Sequence, residues 1–281
     1  MGLRPHVSLW QTTRFRIELD RPRVMGIVNL TPDSFSDGGR FTSVHAAVEH
    51  AGQLLQQGAD ILDIGAESSR PGATPLSDEE EWHRLHPVLL ELVRWQVPIS
   101  VDTYRPATMR RALDLGVDII NDIWGLRQPG ALAAVQDSPC GVCVMHMHGE
   151  PQTMQRQPMS DPVVEQVVTF LQERVQVLKQ VGIDDARICL DPGVGFGKTV
   201  AQNFALLREQ DQVLDLGYPV LGAWSRKSSL GAVTGLEVAD RLVPSVTAAV
   251  IAVERGAHLV RVHDVADTVA ALQVWRAATQ V

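Results

Sequence analysis

The sequence predicts an α/β chain folded as one (β/α)8 barrel of the TIM-barrel type, a single domain, and three observations lead to it. Eight short β-rich runs recur along the 281 residues. Nearly every interval between them holds a segment of helical period. The runs are continuously apolar rather than alternating, which is the pattern of a parallel sheet covered on both faces. Eight strand–helix units in about 250 residues is the size at which such a sheet closes on itself.

The first twenty residues, "MGLRPHVSLWQTTRFRIELD", precede the first strand; residues 1–22 are read as a segment that plugs the barrel floor and 23–281 as the barrel itself. "RVMGIVN" is the first strand. It breaks into "LTPDSFSDGGRF", a polar, Gly-rich stretch that offers little apolar surface and must satisfy its backbone with water, side chains or a ligand. A lid is the expected role. The helix "SVHAAVEHAGQLLQQG" follows, then the strand "ADILDIG" and the helix "SDEEEWHRLHPVLLELVRW", whose Ser77 and Glu80 have the spacing of a capping box. Strands three to five are "VPISVD", "VDIIND" and "CGVCVMH". The helix "DPVVEQVVTFLQERVQVLKQVG" leads to "RICLD", and "VPSVTAAVIAVERG" lies between "YPVLGAWS" and "HLVRVH"; both helices end in glycine, as helices commonly do. No linker, low-complexity segment or repeat at the sequence level divides the chain.

Composition limits the function. A net charge of −8 argues against nucleic acid or an acidic membrane as partner, since both attract a basic face. No apolar run reaches the ~20 residues of a membrane span, and the first residues lack a signal-peptide core, so a cytoplasmic protein is expected. The three cysteines, Cys140, Cys143 and Cys189, suit a reducing compartment. Cys140 and Cys143 form a CxxC, but on a strand positions three apart face opposite ways, so buried strand cysteines are expected rather than a redox or zinc pair.

Catalytic groups of such barrels sit at the C-terminal ends of the strands. Those ends carry Asn29, Asp63 with Glu67, Asp102, Asn121 with Asp122, His146 with His148, Asp191, Ser225 with Arg226 and Lys227, and Arg261 with His263. Any one of them is an ordinary turn or cap residue. Together they would be costly at a packed rim unless they converge on a ligand. Asp102, Asn121 and Asp191 suit the donor-rich edge of a flat heterocycle, whereas Lys227, Arg261 and His263 are cations on the strands where barrels often hold phosphate. A heterocycle bearing phosphate is the expected ligand.

"GIVNLTPDSFSDGG", "GADILDIGAESSRPGA", "ISVDT", "IINDIWG", "VMHMHGEPQTMQ", "LDPGVGFGK", "SRKS" and "RVHDV" together resemble the dihydropteroate synthase family of pterin-binding enzymes, in order and with compatible spacing from Arg23 onward. The resemblance implies a transferase of folate biosynthesis that joins a dihydropterin diphosphate to p-aminobenzoate, and usually a homodimer. It implies that Asp102, Asn121, Asp191 and Lys227 bind the pterin, and that Asn29 helps hold Mg2+ and diphosphate with Arg261 and His263. It further places Phe35, Ser69, Arg70, Pro71 and Phe196 around the substrates and Ser228 near the p-aminobenzoate carboxylate. Two positions depart from the family: Ser69 stands for the usual Thr and keeps its hydroxyl, and Ala223 stands for the usual Gly at the pocket floor, beside Gly222.

The implied chemistry agrees with the residues. Breaking a carbon–oxygen bond to diphosphate spreads positive charge over the pterin, so fixed carboxylates at Asp102 and Asp191 favour an SN1-like displacement, while magnesium and cations take the leaving group. A lid would keep water from the cation, with Asp33 and Asp37 as candidates to orient magnesium, water or amine.

Other signals have plainer readings. "GFGKT" lacks the upstream glycine of a P-loop, because Pro192 stands there, although Lys198 is left to face the ligand. His146 and His148 have no third ligand at suitable spacing and are read as structural. "SDEEEW" is a solvated acidic helix start. Two alternatives remain at this stage: a methyltransferase binding methyltetrahydrofolate, which would not need the diphosphate apparatus, and a non-catalytic pterin-binding barrel, which could lose the lid.

Overall fold

The chain opens with a hairpin that the sequence reading did not resolve into strands: β1 (Leu9–Gln11) and β2 (Arg16–Glu18) pair antiparallel. The computed structural model describes residues 7–30, 40–67, 75–150, 153–154 and 156–279. After the hairpin come β3 (Arg23–Asn29), β4 (Ile61–Gly65), β5 (Ile99–Asp102), β6 (Ile119–Asp122), β7 (Gly141–Met145), β8 (Ile188–Asp191), β9 (Leu221–Gly222) and β10 (Leu259–Val262). All eight lie within the runs expected to be strands. They form one parallel sheet in the order β8-β7-β6-β5-β4-β3-β10-β9. A single parallel bridge between Leu190 and Val220 joins the two ends of that order, with the Leu190 N–H donating to the Pro219 carbonyl at 2.8 Å. The (β/α)8 barrel is thereby closed.

Ten helices are described: α1 (Arg40–Gln56), α2 (Asp78–Leu92), α3 (Pro106–Asp114), α4 (Ala131–Val135), α5 (Val163–Gln180), α6 (Val200–Arg208), α7 (Asp211–Leu214), α8 (Ser228–Thr234), α9 (Leu242–Glu254) and α10 (Val265–Thr279). The expected capping box opens α2, with Ser77 accepting from the Glu80 N–H and the Glu80 carboxylate accepting from the Ser77 N–H. Alternation along the strands then divides the core in two. Val24, Val28, Leu62, Ile64 and Val101 face outward against Leu54, Leu85 and Leu89 of the helices. Met25, Ile61, Ile119, Cys143, Cys189 and Leu259 face inward near the strand N-termini, where Trp10, Ile17 and Leu19 of the hairpin segment pack on them.

The hairpin is pinned by polar contacts as well. The Trp10 indole N–H donates to the Arg187 carbonyl at 2.9 Å, and the Arg14 guanidinium pairs with the buried Asp118 at 2.6 Å. Gly141 lets the hairpin come this close, because a Cβ there would lie 3.2 Å from the Trp10 indole nitrogen. Cys140 faces the outer core and Cys143 the inner one, as strand parity requires, and all three cysteines are free and buried. No helix among the described residues is long and apolar enough to cross a membrane.

Candidate active site

The inward parity that puts Met25 and Ile61 on the floor puts the polar strand ends in the opposite mouth. On β4, Asp63 is fully buried. One of its oxygens, Oδ2, accepts from Arg261 Nε of β10 at 2.6 Å and from Asn121 Nδ2 of β6 at 3.2 Å. Arg261 Nη2 reaches Asp102 Oδ2 of β5 at 2.7 Å. Four strands thus place two carboxylates, an amide and a guanidinium in one network. Burial raises the Asp102 pKa to about 7 against the pull of the Arg261 charge, with the Asp63 carboxylate adding to the rise. The Arg261 guanidinium, held between these carboxylates, stays protonated.

Across the mouth, Asp191 ends β8 and enters a loop that doubles back on the barrel. Its Oδ1 accepts the Gly193 N–H at 2.7 Å, and burial raises its pKa although that bond and the Lys227 and Lys198 charges oppose the rise. Gly193 has φ of +70°, and a Cβ there would lie 1.7 Å from the His146 carbonyl oxygen, so no larger residue makes this turn without moving the backbone. Lys198 is buried, and its ammonium donates to the carbonyls of Gly193 at 2.7 Å, Phe196 at 3.1 Å and His146 at 3.4 Å. An ammonium has three N–H donors. All are engaged with backbone, so Lys198 staples the loop and does not face a ligand as the sequence suggested. The stapled loop lays the Phe196 ring under Lys227, whose Nζ lies 4.3 Å from the ring centroid. Desolvation lowers the Lys227 pKa to about 8, opposed by the Asp191 charge.

The remaining sequence-derived positions are arranged around this mouth. Asn29 ends β3 in register with Gly65. His263 follows β10, its Nδ1 2.9 Å from Ser225 Oγ. Ser228 is the first residue of α8, immediately after Lys227. Gly222 backs onto Ala252 of α9, and Ala223 follows the end of β9. Arg226 instead pairs with Asp264 at 2.6 Å, and Asp122 caps its own turn by accepting the Trp124 and Leu126 N–H groups. Phe35, Ser69, Arg70, Pro71, Asp33 and Asp37 lie outside the described residues.

An apolar wall was missing from the sequence reading. Met145 and Met147 of the β7 end pack with Ile123, Met154 and Phe196, flanked by Tyr104 and Trp124. Their signal was available: Tyr104 and Trp124 follow Asp102 and Asp122 by two residues, just beyond the same strand ends. His146 packs edge-on against Phe170, and burial holds its pKa down to about 2, so the ring is neutral. His148 is exposed, and no group of three or more His, Cys, Asp or Glu able to hold a metal occurs among the described residues.

The model of the pterin binding enzyme family matches residues 25–263, which span every element of the mouth. The chain belongs to that family. Among curated pterin-binding relatives, the dihydropteroate synthase of Neisseria meningitidis serogroup B is 50% identical over 276 residues, covering 96% of this chain and 97% of the relative. A dihydropteroate synthase of Xanthomonas albilineans, solved with 4-aminobenzoic acid, superimposes with a TM-score of 0.92 at 49% identity, covering 98% of this chain and all of the other. That of Burkholderia cenocepacia, complexed with 7,8-dihydropteroate, gives a TM-score of 0.89 at 48% identity over 99% and 98% of the two chains.

Proposed function

We propose that this chain is a dihydropteroate synthase, condensing 6-hydroxymethyl-7,8-dihydropterin diphosphate with p-aminobenzoate to give 7,8-dihydropteroate and diphosphate. One observation carries the reading: Asp102, Asn121 and Asp191 surround a mouth lined by Phe196, Met145 and Met147, with Lys227 lying over the Phe196 ring. Such a mouth fits a flat ring with N–H donors on one edge. Asp191 keeps Oδ2 for the ligand while Oδ1 serves Gly193. Lys227 donates to a ring acceptor, and Arg261 and His263 lie on the diphosphate side.

As the carbon–oxygen bond breaks, its electrons leave with diphosphate and the pterin methylene becomes cationic. The Asp102 and Asp191 carboxylates are fixed before this charge develops, so their stabilisation needs no reorganisation. The aryl amine lone pair then forms the carbon–nitrogen bond, and its proton leaves with water or diphosphate. Asn29, which ends β3 at the rim, offers one hard oxygen and would help hold a Mg2+ ion together with the substrate phosphates. When bound, the ion neutralises charge on the leaving group.

The methyltransferase alternative loses ground because relatives with this activity match nearly the whole chain. Incubating the protein with dihydropterin diphosphate, p-aminobenzoate and magnesium is the direct test, and absence of dihydropteroate would overturn the reading. An arylamine with a sulfonyl group opposite resembles p-aminobenzoate in charge and shape, so sulfonamides are expected to compete with it. Their apparent inhibition constant should rise linearly with p-aminobenzoate; an unchanged constant would place them elsewhere. Homodimer formation through the α8–α9 face is part of the proposal, supported by the exposed Val233 (58%) and Val243 (71%) with Leu236, Val238 and Leu242. Sedimentation analysis would read it. A cytoplasmic location accords with three unpaired cysteines.

A further inference from the structure

Asp63 has no part in the steps above, yet it touches two residues that do. We infer that Asp63 is a positioning residue: its carboxylate fixes which way the Asn121 amide faces and holds the Arg261 guanidinium against Asp102. The inference rests on the pterin-binding reading of the mouth. β4 lies two strands from β6 on one side and two from β10 on the other, and Asp63 reaches both from the barrel interior. Asp63 Oδ2 already accepts the Arg261 Nε–H, so it offers Asn121 an acceptor. Asn121 must therefore turn its NH2 toward Asp63, which leaves its carbonyl oxygen as the group presented to a ligand. A pterin edge made of N–H donors needs that oxygen. With the opposite amide orientation, N–H would face N–H.

Arg261 is constrained by the same oxygen. With Nε on Asp63 and Nη2 on Asp102, the guanidinium plane is fixed between two strands, and Nη1 donates to no described residue. Asp63 thus sets an acceptor for the ring and the plane of a cation for the phosphate. It need touch neither.

Two variants at this position test it. Asp63→Ala removes the oxygen on which Asn121 and Arg261 both donate, and calorimetric titration with 6-hydroxymethylpterin should show roughly ten- to hundredfold weaker binding. Asp63→Asn can keep a carbonyl oxygen at the Oδ2 position, with its NH2 where Oδ1 has no partner, so its affinity should stay within about tenfold of wild type. Wild-type affinity in Asp63→Ala, or binding by Asp63→Asn no better than by Asp63→Ala, would overturn the inference. A lowered melting temperature with unchanged affinity would do so too, since it marks a purely structural role. If Asp63→Ala does not fold, Asn121→Asp decides: it sets a second carboxylate against Asp63 and should bind at least about tenfold more weakly, and wild-type affinity there would overturn the inference. Wild-type protein that fails to bind the pterin would instead overturn the function proposed above.

Discussion

Asp191→Asn is expected to lower affinity for a pterin by roughly ten- to hundredfold while leaving the fold intact. In the wild-type chain Oδ1 accepts the Gly193 N–H at 2.7 Å, and the proposed reading gives Oδ2 to the ligand. Asn can keep the first bond. Its NH2 then occupies the second position and meets the N–H donors of the pterin edge, leaving buried donors unsatisfied on both sides. The charge is lost as well, so the cationic transition state suffers beyond the binding defect and kcat should fall with kcat/KM. Calorimetric titration with a pterin, together with steady-state kinetics, measures both. Wild-type affinity would mean that Asp191 only shapes its loop.

Arg105→Leu should cost about 3–5 kcal/mol of stability, with the melting temperature falling on the order of 10 °C. Arg105 is buried, and its guanidinium pairs with Glu67 at 2.6 Å and with the buried Glu81 at 3.2 Å while donating to the Leu76 carbonyl at 2.5 Å. Glu81 also accepts from Thr103 and Thr108, and Glu67 accepts from Tyr104 and the Leu76 N–H. Removing the cation leaves two enclosed carboxylates facing one another. Burial already raises the Glu81 pKa, with the Arg105 charge opposing it, and loss of Arg105 raises it further. A raised native pKa gives stability that is full at acid pH and lost as pH rises through the native value. The deficit should therefore be larger at pH 8 than at pH 5. Urea midpoints at the two values check the sign, and an equal deficit at both would place the cost in packing.

The barrel was legible because each of its elements carries a local signature. Ser77 and Glu80 announce the start of α2, and runs such as "ADILDIG" are apolar on both faces because both faces are covered. Strand parity then carried Asp102, Asn121 and Asp191 into the mouth. The β1–β2 hairpin escaped because its strands have three residues each, too few for a period to show. Arg105 escaped for another reason: its partners Glu67 and Glu81 come from different segments, and nothing local records which carboxylate a buried arginine will choose. Lys198 misled by type. A lysine after "GFG" reads as a ligand cation, but the backbone folds three carbonyls onto it.

The two ends of the sheet meet at one bridge, Leu190 to Val220, beside a strand of only two residues. That seam runs through the site: Asp191 ends the strand on one side, and Lys227 follows the strand on the other. A ladder with so few rungs is the natural place for the cylinder to part, so amide protons there should exchange with solvent before those of β4 or β5. A pterin held by both Asp191 and Lys227 would act as a stitch across the parting. Its binding energy would appear as slowed deuterium uptake at Leu190, a strand interior that the ligand does not touch.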